Sequence, residues 1–352
     1  MRLVTGTRAG LGLVVSGRDA LSQTPSQCHQ EPQLAPPGRG IIAPSSEGKP
    51  FHYSMVTSMR GSGLWRWRQP SAGLAFSGDA LVAFKKGVKK GGKNGGAPRF
   101  ERKELPEGLV EVSATTPNIQ SVRDLAQIAE TALEAVGVRR ERLVVALPDL
   151  AITTAVFPGR GRAPERELRQ ELASMLPYAQ GEARCDFWRG RHDEVLAAAV
   201  REMVALQYEQ IVEAVECRLG WVDAVSLSQI PSWSRRPWQK GELDVCLQLY
   251  AGHYCLAVFR EGELVAARTK LRTAGDVDLV CREVLRVPAL HGRADSDTQD
   301  WIDSLSLFGG DAASVAAALE GCSRVRAIRI ETDDEDRHLE SSLETLLARG
   351  RP

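Results

Sequence analysis

Few residues of this chain have a type and spacing that could do chemistry. The seven cysteines, Cys28, Cys185, Cys217, Cys246, Cys255, Cys281 and Cys322, are odd in number and include no C-x-x-C pair. That pattern argues against a disulfide framework or a zinc site, and most of the thiols stand among apolar residues, where cysteine packs as a small hydrophobe. His253 and Cys255 would share one face of a strand, but two donors do not complete a metal site, so packing is expected and no metal is. The lysine- and glycine-rich run over 85–96 could meet a phosphate or a lipid headgroup. It lacks the G-x-x-x-x-G-K-[ST] of a phosphate-binding loop and reads as a solvated, flexible loop. Gly309-Gly310, set between an apolar strand and a helix, reads as a turn that needs a permissive backbone.

The elements around these residues follow from periodicity. Two runs at 73–77 and 80–85 read as a hairpin with Gly78-Asp79 at its turn. Ser121 caps a helix whose stripe is Leu125, Ile128, Ala132, Leu133 and Val136, ended by Gly137. The all-apolar run 143–147, closed by Pro148-Asp149, reads as a strand buried on both faces. Next come a strand at 152–157, a helix from Glu165 whose stripe Leu168, Leu172, Met175 and Leu176 is ended by Pro177, and a strand at Asp186-Phe187. This helix is expected to cover one face of a small sheet. A further helix carries Val204, Tyr208, Ile211, Val215 and Leu219 and stops at Gly220, before a strand from Trp221. Three further strands begin at Leu243, His253 and Glu263, the last pair joined by Glu261-Gly262. Helical patterns follow over 277–287 and after Gly310, with a closing strand over 325–330.

Composition allows two lobes with real cores, since 352 residues carry 43% hydrophobic side chains. A formal net charge of zero gives no global attraction to nucleic acid or anionic lipid. No run approaches about 18 consecutive apolar residues, so no span is expected. Residues 18–50 are rich in Ser, Gln, Pro and Gly and cannot bury enough surface to order themselves. The start of the chain lacks the apolar core of a secretory signal. Residues 1–70 are therefore read as a disordered arm, with Met55 or Met59 as alternative starts.

The segments ALP at 146–148, VFPGR at 156–160, ERELRQELASMLPYAQGEARCDFW at 165–188 and VLAAAV at 195–200, in this order and spacing, resemble PilM, the actin-like cytoplasmic protein of type IV pilus assembly. The resemblance spans roughly 72–330 and is best over 144–225. It implies an α/β, actin-like (ASKHA) two-lobed fold with an inserted small α+β subdomain. The division would be an arm over 1–70, the start of the first lobe over 71–150, the insertion over 151–200, and the end of the first lobe with a connector over 201–240. The second lobe would cover 241–331 and a charged tail 332–352.

By the same resemblance, nucleotide would sit against an Asp in the first hairpin of each lobe, where a short carboxylate holds Mg²⁺. The relatives' first pattern resembles G-I-D-I-G-S, and Ala75 stands where that carboxylate belongs. Asp79 lies four residues on, roughly 13 Å along a strand. In the second hairpin the expected D-x-G is Gln248-Leu249-Tyr250. Gly309 and Gly310 match a turn that packs against adenosine in the family and is here at most vestigial. The resemblance thus implies a pseudo-ATPase with no cofactor beyond weak residual ATP binding. It implies a scaffold that takes the cytoplasmic N-terminus of a PilN-like inner-membrane protein in a groove beside the insertion. Phe157 and Tyr178 are the expected groove walls, with Met175 and Leu176 at the end of the helix stripe. Its place would be cytoplasmic and peripheral to the inner membrane, reached only through the partner, with self-association possible and no nucleic acid bound. The alternatives are an active ATPase of FtsA type, marked by metal-dependent nucleotide affinity, and a GspL-like secretion component, against which the lack of a span and a periplasmic domain counts.

Overall fold

The computed structural model describes residues 70–87, 97–190, 192–233, 238–291, 301–332 and 337–349. The expected arm up to residue 69 and the basic loop from 88 to 96 lie outside the described residues.

The first lobe is built on the expected hairpin of β1 (Ala72–Phe76) and β2 (Ala80–Lys85). Ser77 closes its turn, donating its N–H to the Ala80 carbonyl at 2.8 Å and accepting the Ala80 N–H on its hydroxyl at 2.9 Å. β3 (Arg99–Glu104) pairs with β2 on the outside. Its sequence, RFERKE, shows no apolar alternation because an outer strand can be held largely by its ladder; its four middle residues are half-buried, and the Phe100 ring packs on Phe84 with centroids 4.7 Å apart. Ser121 caps α1 (Val122–Ala135) by accepting the Asp124 N–H at 3.3 Å. β4 (Arg142–Leu147) runs parallel to β1 and is buried on both faces.

The insertion follows a 3₁₀ turn at Asp149–Ala151. It comprises β5 (Ile152–Phe157), α2 (Glu165–Ala173), β6 (Ala183–Arg189) and β7 (Val195–Arg201), in the antiparallel order β5-β7-β6. Leu168 and Leu172 of α2 pack with Ala155, Phe157, Val195 and Ala197 on one face. The other face is covered too, since Val156, Trp188 and Leu196 pack onto the second lobe. The helix ends at Ala173, before the expected stop at Pro177, because Ser174 turns its hydroxyl back to the Glu171 carbonyl at 2.7 Å.

α3 (Glu202–Ala214) also ends earlier than its apolar spacing predicts. Glu216 takes φ +54° and the Cys217 N–H reaches the Val212 carbonyl at 3.0 Å, a Schellman closure made without glycine. Leu219 and Gly220, expected to end this helix, belong to β8 (Arg218–Ala224). Leu143 faces Leu219 and Val144 faces Trp221, so Gly220 is the extra residue of a bulge. A β-carbon there would lie 2.8 Å from the Leu143 carbonyl oxygen.

After a 3₁₀ turn at Leu227–Gln229 and the short α4 (Ile230–Trp233), the second lobe repeats the first. Its elements are β9 (Leu243–Leu249), β10 (His253–Arg260), β11 (Glu263–Leu271), α5 (Val277–His291), β12 (Ser304–Phe308), α6 (Ala312–Leu319) and β13 (Ile328–Thr332). The sheets run β3-β2-β1-β4-β8 and β11-β10-β9-β12-β13, each with two antiparallel pairings followed by two parallel ones. β13 starts three residues later than expected, Val325 making only an isolated bridge to Ile302.

Each lobe lends the other a cover. Ile230 of α4 joins Cys246, Ala257 and Phe259 on the second sheet. In return α7 (Arg337–Arg349) lays Leu339, Leu343, Leu346 and Leu347 against Ala75, Val82, Val144 and Ala146 of the first. The segment expected to be a charged tail is thus part of the first lobe's core. Its leucines recur at intervals of four, three and one, one side of a helix, and burying them contributes roughly 6–12 kcal/mol at most.

Candidate functional site

Where the C-terminal ends of β4 and β8 meet the β9–β10 hairpin, polar side chains of both lobes converge. Asp149, the first residue after Pro148, is buried. Its carboxylate accepts the Ser226 N–H and hydroxyl, each at 2.8 Å. The Ser226 hydroxyl lies 3.0 Å from the Tyr250 hydroxyl, which reaches the Gln248 amide oxygen at 3.5 Å. The Tyr250 ring stacks on the His253 ring, centroids 4.3 Å apart and planes 8° from parallel. His253 Nε2 lies 3.6 Å from Asp149 Oδ2 and has no hydrogen-bond partner among the described residues. Two residues on, Cys255 Sγ sits 3.2 Å from Thr269 Oγ1. Burial, and secondarily the Asp149 charge, push the Cys255 thiol well above its usual range.

The expected nucleotide positions have different surroundings. Ala75 is fully buried in the apolar layer that α7 covers, and Tyr250 packs against the same layer. Asp79 stays at the hairpin turn, accepting the Ser77 hydroxyl at 2.7 Å. Gln248 is fully buried, and its amide nitrogen has no partner among the described residues. Gly309 has φ +107°, which favours glycine, and exposed Gly310 leads into Asp311 at the start of α6. Arg272 Nε donates to the Tyr250 carbonyl at 2.7 Å. Its Nη1 stands 2.6 Å from Asp311 Oδ2, an ion pair without an aligned N–H bond, so the glycine turn is tied to the hairpin loop. Lys85 is engaged by Glu141 at 2.5 Å and by the Gly137 carbonyl at 2.6 Å.

The expected partner residues separate. Phe157 is 3% exposed, deep in the subdomain core, because strand alternation aims it at α2. It therefore differs from the expected groove wall. Met175 is 50% exposed, since the early end of α2 turns it away from the stripe, and Leu176 packs only partly on that core. Tyr178 is half-buried, and burial pushes its hydroxyl up to about 12. Sequence reasoning paired His253 with Cys255 but missed Asp149 and Ser226. Pro148-Asp149 looked like strand punctuation, whereas a carboxylate at the end of an all-buried strand is also a sign of a site.

No protein-family profile matches the chain, and no curated protein matches it in sequence. Solved structures do. A structure of a PilM-PilN type IV pilus biogenesis complex is 15% identical, with a TM-score of 0.60, covering 81% of this chain and 100% of its own. A protein of Bacteroides thetaiotaomicron described as having an actin-like ATPase fold and unknown function is 13% identical, with a TM-score of 0.53, covering 81% and 99%. The duplicated lobes and these likenesses give the chain an actin-like fold with an inserted subdomain. Among the described residues, no helix is long and apolar enough to cross a membrane.

Proposed function

We propose that the chain is a non-catalytic actin-like scaffold of a type IV pilus or related secretion machine. The observation that carries this reading is what fills the two hairpin positions of the fold. Ala75 is sealed beneath α7, and the Gln248 amide and the Tyr250 ring occupy the second hairpin. Phosphoryl transfer depends on positioning and on charge neutralisation by metal, and neither expected hairpin position, Ala75 or Gln248, offers Mg²⁺ a carboxylate. The scaffold takes the cytoplasmic N-terminus of a PilN-like inner-membrane protein, a reading supported by the fold shared with the PilM-PilN structure. That partner holds it at the cytoplasmic face of the inner membrane.

Met175 and Tyr178, on the segment after α2, offer an exposed thioether and the open side of a half-buried ring, which suits an extended peptide with alternating apolar side chains. Titration calorimetry of the full chain with a synthetic PilN-like N-terminal peptide tests this. The native chain should bind, and a folded Met175→Ala/Tyr178→Ala variant should bind at least tenfold more weakly, about 1.4 kcal/mol. Unchanged affinity in the variant would move the groove elsewhere; no binding by the native chain would reject the partner.

A further inference from the structure

The interlobe cluster contains donors that its hydrogen bonds do not use up. Asp149, His253 and Cys255 each offer one ligand atom, and these atoms all lie within 4.8 Å of one another. The donors come from both lobes: Asp149 follows β4, whereas His253 and Cys255 share a face of β10. We propose that this triad binds a zinc-type transition-metal ion, which clasps the first lobe to the second.

Four features of the geometry support the assignment. First, tetrahedral zinc with bonds of about 2.0–2.3 Å holds its donors roughly 3.3–3.6 Å apart. The Asp149–His253 separation is already 3.6 Å, and with every separation within 4.8 Å no pair has more than about 1.5 Å to close. Second, carboxylate, imidazole and thiolate are a donor set for zinc or cobalt rather than for magnesium or calcium, which take oxygen. Third, the charges cancel: a dication with one carboxylate, one thiolate and a neutral imidazole leaves no net charge in a buried place. Fourth, the ligands have an outer shell. Ser226 holds Asp149 by two bonds, the Tyr250 ring backs His253, and Thr269 stands against the Cys255 sulfur. His253 Nε2, which no hydrogen bond engages among the described residues, gains a partner in the metal. Binding forms an S–Zn bond as the Cys255 thiol loses its proton to solvent. A water completes the fourth position.

The test uses the full chain, stripped with a chelator and titrated with Co²⁺. One equivalent should give the thiolate-to-cobalt charge-transfer band with tetrahedral ligand-field absorption, and Zn²⁺ should displace it. The band should be lost in Cys255→Ser and kept in Cys246→Ser, whose thiol lies outside the triad. Zn²⁺ should raise the Tm of the native chain and leave that of Cys255→Ser unchanged. Ser226→Ala, a positioning change, should lower cobalt affinity 10- to 100-fold without removing the band. If Cys255→Ser does not fold, His253→Gln and Asp149→Asn decide: each should weaken Co²⁺ binding at least tenfold, and unchanged affinity in either overturns the site. Absence of the band from the native chain, or its persistence in Cys255→Ser, overturns it equally. The scaffold reading does not depend on this result, since its own test reads peptide binding.

Discussion

Gly73 and Leu343 meet where β1 lies beneath α7: a β-carbon on Gly73 would stand 2.8 Å from Leu343 Cδ2 and 3.0 Å from the Val144 carbonyl oxygen. The first hairpin of one lobe is thus shaped around a helix delivered by the other. Leu343→Ala should destabilise the protein by about 2–5 kcal/mol, because the site is fully buried and closed by backbone. Denaturant unfolding measures it, and a loss under about 1 kcal/mol would mean that α7 is only loosely attached.

Ala75 lies in the same layer. Replacing it with Asp places a carboxylate in the apolar layer of Val82, Val144 and the α7 leucines, so Ala75→Asp should cost several kcal/mol of stability. Together with Gln248→Asp it should restore no ATP turnover, because the Tyr250 ring remains. Thermal melts and a phosphate assay on the folded fraction check both parts.

Ser226 satisfies both oxygens of the Asp149 carboxylate. Ser226→Ala keeps the backbone N–H but removes the hydroxyl, which should cost about 1–3 kcal/mol for a buried acceptor left short of a donor. Equal denaturant midpoints for the native chain and the variant in metal-free buffer would show that the hydroxyl bond contributes nothing.

Asp186 supplies a pH dependence. Burial pushes its carboxyl up to about 6, only partly offset by the Phe187 N–H on its oxygen. A carboxyl whose folded pKa is raised binds its proton in the folded state first, so this group makes the protein more stable as pH falls from about 6 towards its unfolded value of 3.8. Asp186→Asn should flatten that part of the Tm–pH profile and raise Tm at pH 7. A profile identical to the native one would assign the dependence to other groups.

Most strands and helices were legible because period and punctuation coincide: 143–147 is apolar throughout, and Ser121 and Gly137 bracket α1. Boundaries were lost where a local bond beats the apolar stripe, as Ser174 does at the end of α2 and Glu216 at the end of α3. β3 was missed since an outer strand needs no apolar alternation. α7 was read as a charged tail, because no local signal says that a C-terminal segment will cross to the first lobe. Of the interlobe cluster only His253 and Cys255 could be paired, by their spacing of two. Asp149 and Ser226 lie 77 positions apart and join them only through the sheet order.

Phosphate release from Mg²⁺-ATP by the purified full chain tests the central claim most directly. With Ala75 and Gln248 at the hairpin positions and Tyr250 across the space beside them, the rate should not exceed that of a heat-denatured control at any Mg²⁺ concentration. Steady, Mg²⁺-dependent release that scales with protein and is abolished by chelation would contradict the scaffold account and make this chain an actin-like ATPase.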